Sequence, residues 1–306
     1  MENIRDIKDR IKSVREIHKI TRAMKMVATA KYKKVQKKLD RTRGYLTELE
    51  ELMWRVKNDV VVRYNPFFSK KKHGSKHLIV VISSDRGLCG AFNTNLIRFA
   101  NDELANSDLF VIGKKGINIL RRQPGATIIG TMPDVFVHPD FKTYCRISEA
   151  IQYEYLVNKY ASVKMLYTSF ESMARQPIVL KQLFPLENVF KTDTENTDEQ
   201  EYDADTEQNE KKEPSQPQYP GLTLFEPSAD DAFDTLVRHY IDVSIQRIME
   251  ESYLSEQIIR MNAMEAATTN ADELINGLIL AFNRARQSVI TTELLEIVGG
   301  AEALKA

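Results

Sequence analysis

The sequence predicts an α/β protein: a long antiparallel coiled coil of N- and C-terminal helices, with a small Rossmann-like α/β domain inserted between them. Three observations predict it. Every proline lies between Pro66 and Pro227, so both ends of the chain keep their backbone donors unbroken. Both ends repeat apolar residues at three- and four-residue spacing, the helical period. The middle alternates short apolar runs with helical segments, which implies a parallel sheet built from right-handed crossovers.

Residues 1–58 carry Ile4, Ile7, Ile11 and Val14 at heptad spacing, and Val35, Leu39, Leu46, Leu49, Met53 and Val56 in the same rhythm. Between these runs His18 and Lys25 fall where the register puts the seam, while Ile17, Ile20, Met24 and Val27 are apolar. The expectation is that the stripe moves there, recovers by a four-residue step and winds irregularly. Charge also argues for pairing. Residues 19–43 hold Lys19, Arg22, Lys25, Lys31, Lys33, Lys34, Lys37, Lys38, Arg41 and Arg43 against Asp40 alone, whereas the C-terminal segment is mainly acidic.

Residues 69–190 have a different texture. Lys70 to Gly74 mark a solvated link, and Leu78 to Ile82 is a continuous apolar run, as expected of a strand buried on both faces. Further strands are predicted at Leu109 to Ile112, Ala126 to Ile129, Val163 to Thr168 and Ile178 to Phe184. Helices are predicted from Gly90 to Leu104, from Gly116 through Arg122, and from Ile147 to Tyr160. Residues 191–218 are rich in Asp and Glu, nearly free of aliphatic side chains and closed by Pro214 and Pro217. Such a stretch cannot bury enough surface to offset its ordering entropy. It reads as an acidic flexible insertion, with an acidic tail binding a basic partner as the alternative.

Residues 228–306 form the element around which the rest is arranged. Ser228 is the expected helix cap, with Asp230 and Asp231 near the positive end of the dipole. Phe233, Leu236, Tyr240, Val243, Leu254, Ile258, Met261, Leu274, Leu278 and Phe282 then recur at three and four. At 1.5 Å per residue the helix reaches on the order of 110 Å, so its end should overhang the shorter N-terminal helix by tens of Å. Val289, Ile290, Leu294, Leu295, Ile297, Val298, Ala301 and Leu304 make that end apolar on several sides, with Gly299 and Gly300 thinning it. Two readings stand: a tip held in a socket made by other proteins, or a tail folded back on its own domain.

Composition excludes several classes. Lys plus Arg equals Asp plus Glu at 43 each, so no global charge draws the chain to nucleic acid or membrane. Two cysteines, Cys89 and Cys145, are too few for a disulfide framework. No apolar run reaches the roughly 18 residues that a membrane span needs. Met1 to Arg10 lacks the apolar core of a secretory signal.

The domain shows no catalytic or nucleotide motif. Ser84 to Gly90 reads SDRGLCG, and Gly113 to Gly116 reads GKKG; neither has the spacing of a phosphate-binding loop. Asp85 has the chemistry of a base and Cys89 that of a nucleophile, but no histidine lies near in sequence, and a structural turn is the better account. His18, His73, His77, His138 and His239 have no ligand spacing, so neither metal nor cofactor is expected.

Residues 17–31 (IHKITRAMKMVATAK), 84–90 (SDRGLCG), 260–270 (RMNAMEAATTN) and 282–301 (FNRARQSVITTELLEIVGGA) resemble, in this order, the γ subunit of F-type ATP synthases. The resemblance implies a non-catalytic rotor shaft. A c ring in the membrane would turn it, and it would drive the β-subunit sites of a head of three α and three β subunits through ATP synthesis or hydrolysis, so governing ATPase activity and proton flow. By motif position, Arg286, Gln287 and Thr291 would contact the acidic loop of β, with Met24 opposite at that level. Leu294, Leu295 and Val298 would sit in the α/β sleeve. Lys19, Arg22 and Lys25 are weaker candidates for stator contacts, and Phe225 and Glu226 would meet the c ring and the ε subunit. The implied location is peripheral, on the cytoplasmic face of a bacterial inner membrane, or on the matrix side of the mitochondrial inner membrane for a processed chain. The acidic stretch 191–218 departs from the common bacterial pattern by its length. Cys145 has no near partner to match the regulatory cysteine pair of chloroplast members. A coiled-coil adaptor and a nucleotide-binding α/β enzyme are the competing functional readings.

Overall fold

A computed structural model describes residues 4–56, 65–68, 76–102, 107–137, 139–157, 160–186, 226 and 228–303. The link at Lys70 to Gly74, the acidic stretch 191–218 and Phe225 lie outside the described residues. Helix α1 runs over Ile4–Val56 and helix α5 over Ala229–Ala303. Between them come β1 (His77–Ile82), α2 (Phe92–Asp102), β2 (Ser107–Ile112), α3 (Lys114–Leu120), β3 (Thr127–Met132), α4 (Phe141–Val157), β4 (Ser162–Thr168) and β5 (Ile178–Phe184).

The two long helices pair antiparallel. Partner numbers rise on one as they fall on the other: His18–Asp272 at 3.1 Å, Lys25–Glu265 at 2.8 Å and Lys38–Glu250 at 2.9 Å, with Arg43 adding a contact to the neighbouring Glu251 at 3.7 Å. The cations of α1 thus meet the acids of α5. α5 begins as its sequence indicates: the Ser228 hydroxyl accepts from the Asp231 N–H at 3.2 Å and donates to the Asp231 carboxylate at 2.7 Å.

The seam of α1 differs from expectation. Its stripe does not move, and no four-residue step occurs. Ile7, Ile11, Val14, His18, Thr21, Lys25, Ala28, Tyr32, Val35 and Leu39 are buried or half-buried in one continuous heptad phase. Ile17, Ile20 and Val27 are instead 53%, 58% and 56% exposed. The polar seam residues are tolerated because each bonds across the interface: His18 to Asp272, Thr21 to Thr268 at 2.9 Å, Lys25 to Glu265. On α5 the seam passes through Ala271, Ile275, Leu278, Phe282 and Ala285, leaving Leu274 exposed against expectation.

The sheet has strand order β3-β2-β1-β4-β5. β3, β2, β1 and β4 run parallel to one another, but β5 runs antiparallel to β4, so the sheet is mixed rather than parallel throughout. The nine residues between β4 and β5 hold no helix, and only a crossover connection of a dozen or more could have returned the chain parallel. One face of β1, with Leu78, Val80 and Ile82, packs on α4 and the long helices; the other, with Ile79 and Val81, packs under α2 and α3. α4 starts six residues earlier than expected. Asp140, just after Pro139, accepts from the Thr143 N–H at 2.8 Å and caps the helix there. Hydrogen bonding from the Thr143 side chain, and next from its N–H, lowers the Asp140 carboxyl below its ordinary pKa.

Candidate functional site

The sequence leaves two places to look: the loops at the carboxyl ends of the strands, and the end of α5. The loops prove structural. Asp85 accepts three backbone N–H groups, Lys114 at 3.0 Å, Asp134 at 2.8 Å and Phe136 at 2.8 Å, which ties the loop after β1 to those after β2 and β3. A carboxylate so engaged is a tether for three loops. The glycines of GKKG are required by close approach. A Cβ on Gly113 would lie 2.1 Å from the Ser83 carbonyl oxygen, and one on Gly116 would lie 2.4 Å from the Ser83 hydroxyl. Ser83 thereby fills the space that a phosphate-cradling turn would leave open. Cys89 is buried beside Ser84 and Asn93, and burial pushes its thiol pKa up, which disfavours the nucleophilic thiolate. No group of three metal-ligating side chains occurs among the described residues.

The end of α5 is different. Contact with α1 persists to Ala285, and every residue from Arg286 to Val298 is exposed. The projecting segment, residues 286–303, is about 27 Å long. Leu294, Leu295, Ile297 and Val298 are 56%, 68%, 68% and 58% exposed, and Val289 and Ile290 also face outward. The described part of this segment does not fold back on the domain. Arg286 and Gln287 project from the first uncovered turn, and the Thr291 hydroxyl donates to the Gln287 carbonyl at 2.9 Å. A run of bare aliphatic side chains on a projecting helix is costly in water and marks a site that another protein covers.

The other sequence-derived candidates do not gather at the tip. Met24 is half-buried one residue from Lys25, which pairs with Glu265. Arg286 lies 21 residues beyond Glu265, about 30 Å along the axis, so Met24 is not at its level. Lys19 pairs with Glu16 on its own helix at 2.9 Å, and Arg22 and Lys25 line an open cleft with His18 and Asp272. Glu226 is exposed.

Sequence reasoning missed a second bare surface. Leu88 is 64% exposed in a left-handed backbone conformation, φ 62°, and sits with Met24 and Val27 around a cleft. Positive φ in a leucine is uncommon, and a sequence carries no signal for it.

A two-helix shaft with a side domain and an uncovered apolar tip has the form of a subunit of a larger assembly. The comparisons agree. The chain matches the ATP-synt family, described as ATP synthase, over residues 3–304. It is 34% identical over 316 residues to the ATP synthase gamma chain of Chlorobium phaeobacteroides and 35% over 312 residues to that of Geotalea uraniireducens, covering all of both chains in each case. A chain of the Euglena gracilis mitochondrial ATP synthase shares the fold at TM-score 0.67 and 21% identity, covering 98% of this chain and 94% of that one. The protein belongs to the ATP synthase gamma-chain family. It is a non-catalytic part of the ATP synthase, whose catalytic sites lie in the β subunits. No helix among the described residues is long and apolar enough to cross a membrane, and a peripheral, membrane-associated place fits the family.

Proposed function

We propose that this chain is turned by a c ring and that its bare tip rotates inside a sleeve of three α and three β subunits, forcing each β site through binding, formation and release of ATP. The carrying observation is the uncovered apolar segment beyond Ala285, on a shaft whose two helices are otherwise paired along their length. Leu294, Leu295 and Val298 are the bearing surface. Arg286, Gln287 and Thr291, on the first uncovered turns, engage acidic groups on β. Contacts of this kind must break repeatedly in each turn, and exposed ion pairs worth about 0.2–1 kcal/mol suit that task. Met24, together with Leu88, contributes lower on the shaft, where Lys19, Arg22 and Lys25 supply positive charge for stator contacts. Phe225 and Glu226, before α5 begins, meet the c ring and the ε subunit. The complex sits on the cytoplasmic face of a bacterial inner membrane, in keeping with bacterial relatives of full length.

The test is to insert an affinity tag near residue 205, solubilise host membranes gently and assay the purified material for composition and Mg-ATP hydrolysis. Two larger subunits in about equal amount, with ATPase activity, are expected. Recovery of the chain alone from membranes that hold an active ATPase overturns the reading.

A further inference from the structure

Strand order reverses between β1 and β4, because β2 and β3 build outward on one side of β1 before the chain crosses to the other. In open α/β sheets, ligands bind in the crevice outside the carboxyl ends of the strands at such a switch point. Here the crevice holds a helix of the same chain. The Glu251 carboxylate of α5 accepts from the Ser169 hydroxyl at 2.6 Å and the Phe170 N–H at 3.1 Å, both just past the end of β4. One turn further, Ser255 donates to the Ser169 carbonyl at 2.9 Å. Arg260 then donates to the carbonyls of Arg86 and Gly87, beyond β1, at 3.3 and 3.4 Å. Between these points Tyr253 stacks on Phe136 at 5.1 Å with the rings 6° apart.

Glu251 joins three parts of the molecule. It is 3% exposed and has Arg43 of α1 at 3.7 Å. Its second oxygen, which makes no hydrogen bond, faces Arg247 at 4.0 Å. Apolar burial, which supplies most of the domain–shaft contact, is non-directional, and packed elements can slide past one another by small shears. A charge-assisted hydrogen bond fixes both register and azimuth. A buried carboxylate left short of a donor is costly, so a twist that pulls Ser169 away from Glu251 is opposed by the loss of that hydrogen bond.

We propose that Glu251 is a positioning residue for energy coupling: it pins the α/β domain to the shaft against twist, so that torque applied at the domain end reaches the tip without slip. The proposal rests on the rotor function above and adds to it the point at which the domain grips the axle.

The test uses the whole ATP synthase in inverted membrane vesicles, with Mg-ATP hydrolysis and ATP-driven proton uptake measured on the same preparation. Ser169→Ala removes the 2.6 Å bond and leaves every charge in place; Glu251→Gln removes the charge. Hydrolysis is expected to stay within about twofold of wild type while the ratio of proton uptake to hydrolysis falls about threefold, the scale of one lost hydrogen bond, and Ser169→Thr restores it. Ser169→Ala decides alone if Glu251→Gln fails to assemble. A wild-type ratio in assembled Ser169→Ala complexes overturns the proposal. Wild-type vesicles that hydrolyse ATP through this complex without any proton uptake overturn the rotor reading instead.

Discussion

Leu254 and Leu295 belong to the same helix, yet the first is fully buried and the second is 68% exposed. The part of α5 that holds Leu254 is wrapped by α1, α4 and the sheet; the part that holds Leu295 has no cover from its own chain among the described residues. Apolar residues in the wrapped part stabilise the monomer. Those in the bare part contribute only once a partner closes over them, so the two parts should answer differently to the same substitution.

The largest effect should be in the wrapped part. Leu254→Ala is expected to destabilise the isolated chain by about 2–5 kcal/mol, read as a lower melting midpoint, whereas Leu295→Ala should stay within about 0.5 kcal/mol of wild type. Equal losses from the two would break the comparison. In the assembled complex the order of interest reverses. Arg286→Glu, on the first uncovered turn, should leave the melting of the free chain unchanged and lower proton pumping driven by ATP by roughly three- to fivefold, the scale of one exposed ion pair turned repulsive. Normal pumping in that variant would remove Arg286 from the contact surface.

A smaller effect separates buried from exposed charge. Burial pushes the Glu256 carboxyl from its ordinary 4.5 up to about 7, against the opposing pull of Arg260 at 2.6 Å and of Lys31. Folding therefore favours the protonated form. The stabilisation this group gives is fully present below its unfolded value of 4.5 and is lost as pH rises through about 7. The unfolding free energy of the free chain should fall between pH 4.5 and about pH 7 with a slope of at most about 1.4 kcal/mol per unit from this group, and Glu256→Gln should flatten the profile. An unchanged profile in Glu256→Gln would show that the group does not titrate there. The smallest effect should come from Gly277→Ala. A Cβ there meets nothing within 4 Å, so the free chain should gain about 0.5–1 kcal/mol from helix propensity, checked by denaturant unfolding.

The pairing of the chain's two ends was legible because Ile7, Ile11, Val35 and Leu39 announce a heptad by hydrophobicity alone. The register between them was not, because His18, Thr21 and Lys25 hold the seam through partners on α5, some 240 residues away in sequence, that a local reading cannot see. The apolar run Val179, Leu180, Leu183 and Phe184 reads the same in either strand direction, so the antiparallel placement of β5 had to wait for its register against β4. At the candidate site, Leu294, Leu295 and Val298 could be read directly, since exposure is what remains when a long apolar helix outruns its partner. Leu88 could not, because its exposure depends on a backbone conformation that the loop imposes. The docking of α5 across the strand ends was equally hidden, since Glu251 looks in sequence like any helical glutamate.

The seam from Ile7 to Val56 keeps its seven-residue phase without insertion, and helices that do so wind about each other in a left-handed sense. A rope of one hand tightens when twisted one way and loosens when twisted the other. In the proposed rotor, reversing the rotation also exchanges the end that drives with the end that resists, so synthesis and hydrolysis load this axle in one and the same sense. The left-handed winding therefore meets one sense of twist only, and the elastic give of the shaft should be the same in whichever direction the machine runs.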